Sequence, residues 1–198
     1  MYLRYFLPCY LVAYVIAAFV WRRYVVRKTT GINPVTFKGS DSAHDFLGRI
    51  FKMLFAIIVA VVIVFSFFAR GYRYLLPIAW LERPSVRWIG VALLLLSLVW
   101  IVVAQAQMGK SWRIGIDSER QTELVQKGVF RISRNPIFLG MMITLLGLFL
   151  VLPNGITLLT LVLGVVITGV QVRLEEEHLT NLHDDAYLDY CRRVRRWI

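Results

Sequence analysis

Four residues at the mouth of the longest uncharged run in this 198-residue chain are of types that could do chemistry: Arg131, Arg134, Asn135 and Pro136, in the stretch RISRNPIFLG at 131–140. Past the far end of that run stand Glu175, Glu176 and Glu177. A carboxylate cluster beside hydrocarbon is costly to desolvate unless cations meet it. Arg134 and Arg173 are the nearest candidates; a helix end simply solvated by water is the plainer reading. What these types offer is charge-assisted hydrogen bonding at a membrane edge, with an amide beside a guanidinium. Metal chemistry is not indicated. His44, His178 and His183 lack ligand spacing, and Cys9 and Cys191 lie at opposite ends of the chain, as neither a disulfide framework nor a zinc site.

The elements that must position these residues follow from charge and hydropathy. The chain is 58% hydrophobic, with a mean hydropathy of +0.63 and a net charge of +11. That composition belongs to a bilayer protein, and the length suits one compact bundle. Residues 5–21, 53–69 and 88–109 are uncharged. Each can cross roughly 30 Å of hydrocarbon as a helix. The first of them reads as a retained helix rather than a signal peptide. The next run, 135–172, would be about 57 Å long as one straight helix, nearly twice the bilayer core. Pro153-Asn154-Gly155 near its middle is strong turn chemistry, which divides it into a hairpin of roughly 138–152 and 156–173. The expected fold is an all-α integral membrane protein with five transmembrane helices, including this C-terminal hairpin. A cytoplasmic C-terminal helix follows, in which Leu174, His178 and Leu182 recur at four-residue spacing.

Orientation follows from the basic residues. Seven Lys and Arg fall in 22–52, six in 110–134 and five from Arg173 onward, all on one side of a five-helix topology. The positive-inside rule then puts the N-terminus outside and the C-terminus in the cytoplasm, as in a bacterial-type inner membrane. Anionic membrane lipids account for the basic balance. No nucleic acid partner is expected, because the cations are spread over three membrane-flanking segments. With no repeat and no linker, residues 1–198 form a single membrane domain, with an N-terminal three-helix part at 1–107 and a site-bearing part at 108–198.

The stretch ELVQKGVFRISRNPIFLG, followed one hairpin later by EEEHLTNLHDDAYLDYCRRVRRWI, resembles the isoprenylcysteine carboxyl methyltransferase family, which includes relatives that methylate phospholipid amines. The family's pattern is Leu-Val-x-x-Gly-Pro-Tyr-x-x-x-Arg-His-Pro-x-Tyr-x-Gly, a hairpin, then Glu-Glu-x-x-Leu, Tyr-x-x-Tyr and a basic-aromatic end. GKSWRIGID at 109–117 looks like the segment preceding that motif in bacterial members. The chain departs from the pattern at several places. Asn135 stands for the usual histidine, Phe130 and Phe138 for tyrosines, and Val129 for proline; the Val-Pro-Arg-like end reads Val194-Arg195-Arg196. Asparagine keeps a donor and an acceptor but carries no proton chemistry at neutral pH.

The resemblance implies methyl transfer from S-adenosylmethionine to a lipid-like or prenylated small molecule, in a pocket between the hairpin and the tail. Arg134, Asn135, Pro136 and the backbone of Gly128, Val129 and Phe130 would meet the cofactor's carboxylate. Glu175 or Glu176 would meet its ammonium, with Glu177 on the solvent side. Phe138, Leu139, Tyr187 and Tyr190 would form the adenine slot. Arg134, Glu176 and Arg113 are the candidate catalytic residues, Arg113 as an orienter of the acceptor. Trp112 and Trp197 read as interfacial belt residues. Two other readings stay open: an NADPH-dependent membrane reductase with the same C-terminal architecture, and a non-enzymatic accessory protein.

Overall fold

The computed structural model describes residues 2–31, 33–35, 41–115 and 123–198. The last two residues of the 109–117 segment therefore lie outside the described residues. The protein is all-helical, with no strand among the described residues. Five helices carry the architecture: α1 (Leu3–Thr30, with a π-helical stretch at Ile16–Trp21), α2 (Ala43–Phe67), α3 (Pro84–Met108), α4 (Pro136–Val151) and α5 (Gly155–Arg193).

Local chemistry sets the helix starts. Ser42 caps α2 by accepting from the Asp45 amide at 3.2 Å. Pro84 and Pro136 occupy the first positions of α3 and α4, where a missing N–H costs nothing. Asn135 stays out of helical geometry ahead of its proline (φ −125°, ψ 53°), so α4 begins where the Asn-Pro step predicts. The expected turn at Pro153-Asn154-Gly155 is present, and Asn154 caps α5 in a reciprocal box with Thr157.

Four helices are long and apolar enough to cross a membrane: α1, α2, α3 with its 3₁₀ extension to Ser111, and α5. α4 is shorter at 16 residues, about 24 Å. The fold thus contains an apolar helical bundle of membrane type, whose outward faces expose side chains such as Val12, Leu96, Val99 and Val166.

α3 and α4 make the most extensive contact in the molecule. Glycines permit it: a Cβ on Gly90 would lie 2.7 Å from the Gly147 carbonyl oxygen. Small residues let backbones approach where no water drives the helices together. Several polar side chains within the apolar layer pair across helices, whereas the buried Ser66 Oγ has no hydrogen-bond partner among the described residues. Ser97 and Thr144 share a hydrogen bond of 2.9 Å, Tyr10 Oη donates to Leu94 O at 3.0 Å, and Gln105 Nε2 donates to Ala18 O at 2.9 Å. Trp100 Nε1 donates to Pro136 O at 2.8 Å, which fixes the start of α4 against α3.

One sequence expectation is sharpened and one needs correction. α5 runs on from the last apolar span as far as Asp184, where the backbone leaves helical geometry (φ 44°, ψ −124°), and a second helical piece continues from that kink to Arg193. No helix-ending signal occurs between the apolar run and the kink, so the backbone ladder carries on. Trp112 is buried, at 3% exposure, rather than at an interfacial belt. After α3 the chain passes under the end of α1, where Arg22 donates to Gly109 O and its guanidinium lies 6.0 Å from the Trp112 ring centre.

Candidate functional site

Arg134, Asn135 and one of the three glutamates singled out above, Glu176, meet at one end of the hairpin, while Glu177 is exposed. Arg134 Nη2 and Nε donate to Glu176 Oε1 at 3.0 and 3.3 Å. Its Nη1 donates to Cys191 O and Val194 O, each at 3.1 Å, capping the end of α5. Asn135 Nδ2 reaches the same Glu176 oxygen at 3.0 Å and Arg196 O at 3.3 Å. Arg196 holds the other oxygen, Oε2, with Nε at 2.9 Å and Nη2 at 2.8 Å. Ser133 Oγ donates to Arg196 O at 3.1 Å, and Arg134 N donates to Arg195 O at 3.0 Å.

Both oxygens of a buried carboxylate are therefore met by two guanidiniums and an amide. Burial alone would raise the Glu176 pKa, but hydrogen bonds from Arg196, Asn135 and Arg134 outweigh it and hold the carboxyl below its usual range. The Glu176 hydrogen bond correspondingly raises Arg196. Arg173 is not a partner of this cluster; its Nη1 donates to Gly169 O at 2.7 Å. Arg196, the arginine of the Val-Pro-Arg-like end, takes that place.

Glu175 has the opposite environment. It is half-buried, and among the described residues no ion pair or hydrogen bond meets its carboxylate. Burial, with the Glu176 charge adjoining, pushes it up to about 7. It faces a cavity whose lining includes Arg113, Phe130, Arg134, Asn135, Pro136, Phe138, His178, Tyr187 and Tyr190. The tyrosines are buried and stack edge to face at 6.1 Å. Burial raises both; Tyr190 is pushed up to about 12. The cavity itself, about 120 Å³, adjoins a wider bowl of about 930 Å³.

Gly128, Val129, Leu139 and Glu176 are not in the lining. Gly128 and Val129 instead set the wall. At φ 61°, with a would-be Cβ 2.1 Å from Gln107 Oε1, Gly128 opens the 3₁₀ turn Gly128–Arg131. Gln107 Oε1 accepts from Val129 N at 2.8 Å, and Tyr190 Oη donates to Phe130 O at 2.5 Å. Arg113 donates to Lys110 O and Trp112 O at 2.7 and 3.0 Å while lining the cavity. Sequence reasoning did not assign Ser133, Gln107 or Arg196 to the site, although Ser133 and Arg196 lie in motifs it had isolated. His178 stood there as a position in the helical period and as a histidine without metal-ligand spacing. Gln107 carries no sequence signal.

Among the described residues, no group of three or more His, Cys, Asp or Glu side chains is placed to hold a metal. An apolar helical bundle with a charged knot and an open cavity at the mouth of its hairpin is the layout of an enzyme working at the edge of a membrane. A family comparison makes this specific: the phospholipid methyltransferase model matches residues 86–186, just over half of the chain, and the chain belongs to that family. Family members are membrane methyltransferases that generally use S-adenosylmethionine. A search of curated proteins returned no match.

Proposed function

We propose that this protein transfers a methyl group from S-adenosylmethionine to a lipid-like acceptor that reaches the hairpin mouth from the bilayer. The observation that carries the reading is the contrast between Glu175 and Glu176. Glu176 is consumed by the protein's own cations, whereas Glu175 turns a carboxylate without a partner among the described residues into the cavity. A carboxylate so placed suits an ammonium group. Phe138, Tyr187 and Tyr190 give the apolar, aromatic slot that adenine needs. The cavity and the bowl together have the size of a nucleoside-bearing ligand's site; the cavity alone suits its amino-acid end.

S-adenosylmethionine, when bound, supplies an already activated methyl group on a sulfonium. The protein's task is then to orient the acceptor and exclude water. Arg113, at the wall shared by cavity and bowl, is placed to orient an acceptor. Arg134 and Glu176 act as positioning residues, since their hydrogen bonds hold the C-terminal segment and the start of α4 together. A carboxylate acceptor needs no base. An amine must lose a proton, and His178 faces the same cavity to take it. Asn135 stands where the resemblance expects histidine, and its Nδ2 donates to Glu176 and to Arg196 O, a role that needs a donor and no proton transfer.

In the membrane we assign five spans, with α4 as the short fourth, the N-terminus outside, and the site on the cytoplasmic face of a bacterial-type inner membrane. The whole chain acts as one domain, with 108–198 as its cofactor-binding part. Calorimetric titration of S-adenosylmethionine and S-adenosylhomocysteine into detergent-purified protein tests the reading. Binding in the micromolar range, lost in Glu175→Gln and absent for NADPH, is the expected result. Folded protein that binds neither sulfur compound would leave the accessory-protein reading in its place.

A further inference from the structure

The family match covers residues 86–186, yet the segment that brings Arg113 to the cavity is held by residues near the other end of the chain. Arg22 directly follows the π-helical stretch of α1 and is partly buried. Among the described residues its guanidinium makes no ion pair, and its Nε is buried without a partner. Withdrawing a cation from water without an anion is costly. What meets this one is the Gly109 carbonyl and the face of Trp112. At Gly109 the chain leaves α3 through a conformation that suits glycine (φ 56°, ψ −127°). Further on, Ile114 N donates to Pro34 O at 2.8 Å, a second tie to the N-terminal part. Arg113 stands between the two ties. Its Nη1 is bonded to Lys110 O and Trp112 O, carbonyls of the same segment, so the path of that backbone decides where the guanidinium points.

We propose that Arg22 is a positioning residue of the site: from outside the family match, it holds Gly109 O and the Trp112 ring and thereby directs Arg113 at the cavity wall. Arg113 lines both cavity and bowl, the two spaces the cofactor needs, so a loosened wall weakens cofactor binding as well as misdirecting an acceptor. Arg22's effect on a ligand rests on the methyl-transfer reading, whereas its hold on the backbone does not. Lysine at this position can still donate to Gly109 O but offers no plane to Trp112, and methionine offers a stem without a donor.

The test has two readouts on detergent-purified protein. Hydrogen exchange of the 109–114 amides without ligand should quicken on the order of tenfold in Arg22→Met, as for one lost hydrogen bond from a charged group. S-adenosylhomocysteine should bind that variant on the order of tenfold more weakly in a calorimetric titration. Arg22→Lys should recover part of both. Arg113→Met should also weaken binding, and adding Arg22→Met to it should cost little more, because the two act along one path. Arg23→Met, exposed on the same helix, should change neither readout. A residue that merely stabilised the fold would give a binding loss independent of Arg113. Unchanged exchange at 109–114 would overturn the clamp, whatever the ligand does. Quickened exchange with full affinity, or losses that multiply in the double variant, would overturn Arg22's part in the site. Folded wild-type protein that does not bind S-adenosylhomocysteine would sink the methyl-transfer reading, and the exchange rates alone would then decide the clamp.

Discussion

The hairpin of α4 and α5 ends in a polar knot at each extremity, and the two knots are built in opposite ways. At the turn, Asn154 is fully buried. Its Oδ1 accepts from Ile156 N and Thr157 N at 3.1 and 3.0 Å, and its Nδ2 donates to Leu152 O at 3.0 Å. Thr157 Oγ1 donates to Leu152 O at 2.6 Å. Ile78 N to Pro153 O and Gly155 N to Leu76 O bring in a distant segment, by its backbone. At the mouth, each of the hydrogen bonds from Arg134, Asn135 and Arg196 to the Glu176 carboxylate spans 20 to 42 residues. The turn can form as soon as its own few residues come together. The mouth exists only once the C-terminal segment has docked, and its closure leaves Glu175 beside an open cavity. Polar groups satisfied locally punctuate the fold; those satisfied across the fold shape a site.

The comparison can be broken most sharply at Glu176. Replacing it with alanine leaves Arg134 and Arg196 facing each other without their anion, and removing one partner of a buried pair costs about 3–5 kcal/mol. Unfolding in detergent, followed by helix signal, should register that loss. A variant no less stable than one altered at the turn would show that the mouth is no tighter than a local cap. Glu175→Gln should not destabilise the fold, and above pH 7 should relieve the cost of burying that charge, yet it should weaken S-adenosylmethionine binding, since a hydrogen bond to a charged group is worth about 1.5–3 kcal/mol. Comparable affinity in wild type and variant would remove Glu175 from the site. Asn154→Ala should cost about 1–2 kcal/mol as a lost N-cap, with cofactor affinity unaltered; weaker binding there would mean the two ends communicate.

The smallest effect is a matter of pH, and the adjoining glutamates carry opposite signs. Glu176 is held below its ordinary value of 4.5, so its contribution to stability is complete above that value and is lost as pH falls through the lower, folded one. Glu175 is raised, so the folded state loses stability as pH climbs from 4.5 to about 7. Pairing with an ammonium requires the ionised form. Cofactor affinity should therefore rise as pH passes through about 7 and level off above it, with Glu175→Gln giving a flat profile. A flat profile in the wild type would contradict the assignment.

Much of the architecture could be read from the chain because it depends on short-range rules. The length of the 135–172 run forced a turn, and Pro153-Asn154-Gly155 is where the turn lies. Pro136 marks the start of α4 as a proline at a helix N-terminus must. The kink at Asp184 was not foreseen, because an aspartate in a polar helical stretch carries no local signal for leaving helical geometry. Trp112 was misplaced because a tryptophan beside a span suits either a lipid interface or a packed loop, and only the path under α1 decides.

Among the candidate site residues, the sequence by itself determined the cast: a basic, asparagine-bearing helix start, a glutamate run and paired tyrosines, at spacings that a helical hairpin brings to one end. Their parts were decided only by tertiary structure. Glu175 and Glu176 are adjacent in an identical apolar-to-polar transition, and no local rule tells them apart. Successive helical residues point about 100° from each other. One carboxylate therefore turns toward Arg134, Asn135 and Arg196 and is neutralised, while the other faces the cavity. Which of them faces which depends on where residues 194–196 dock, and that is a property of the folded chain.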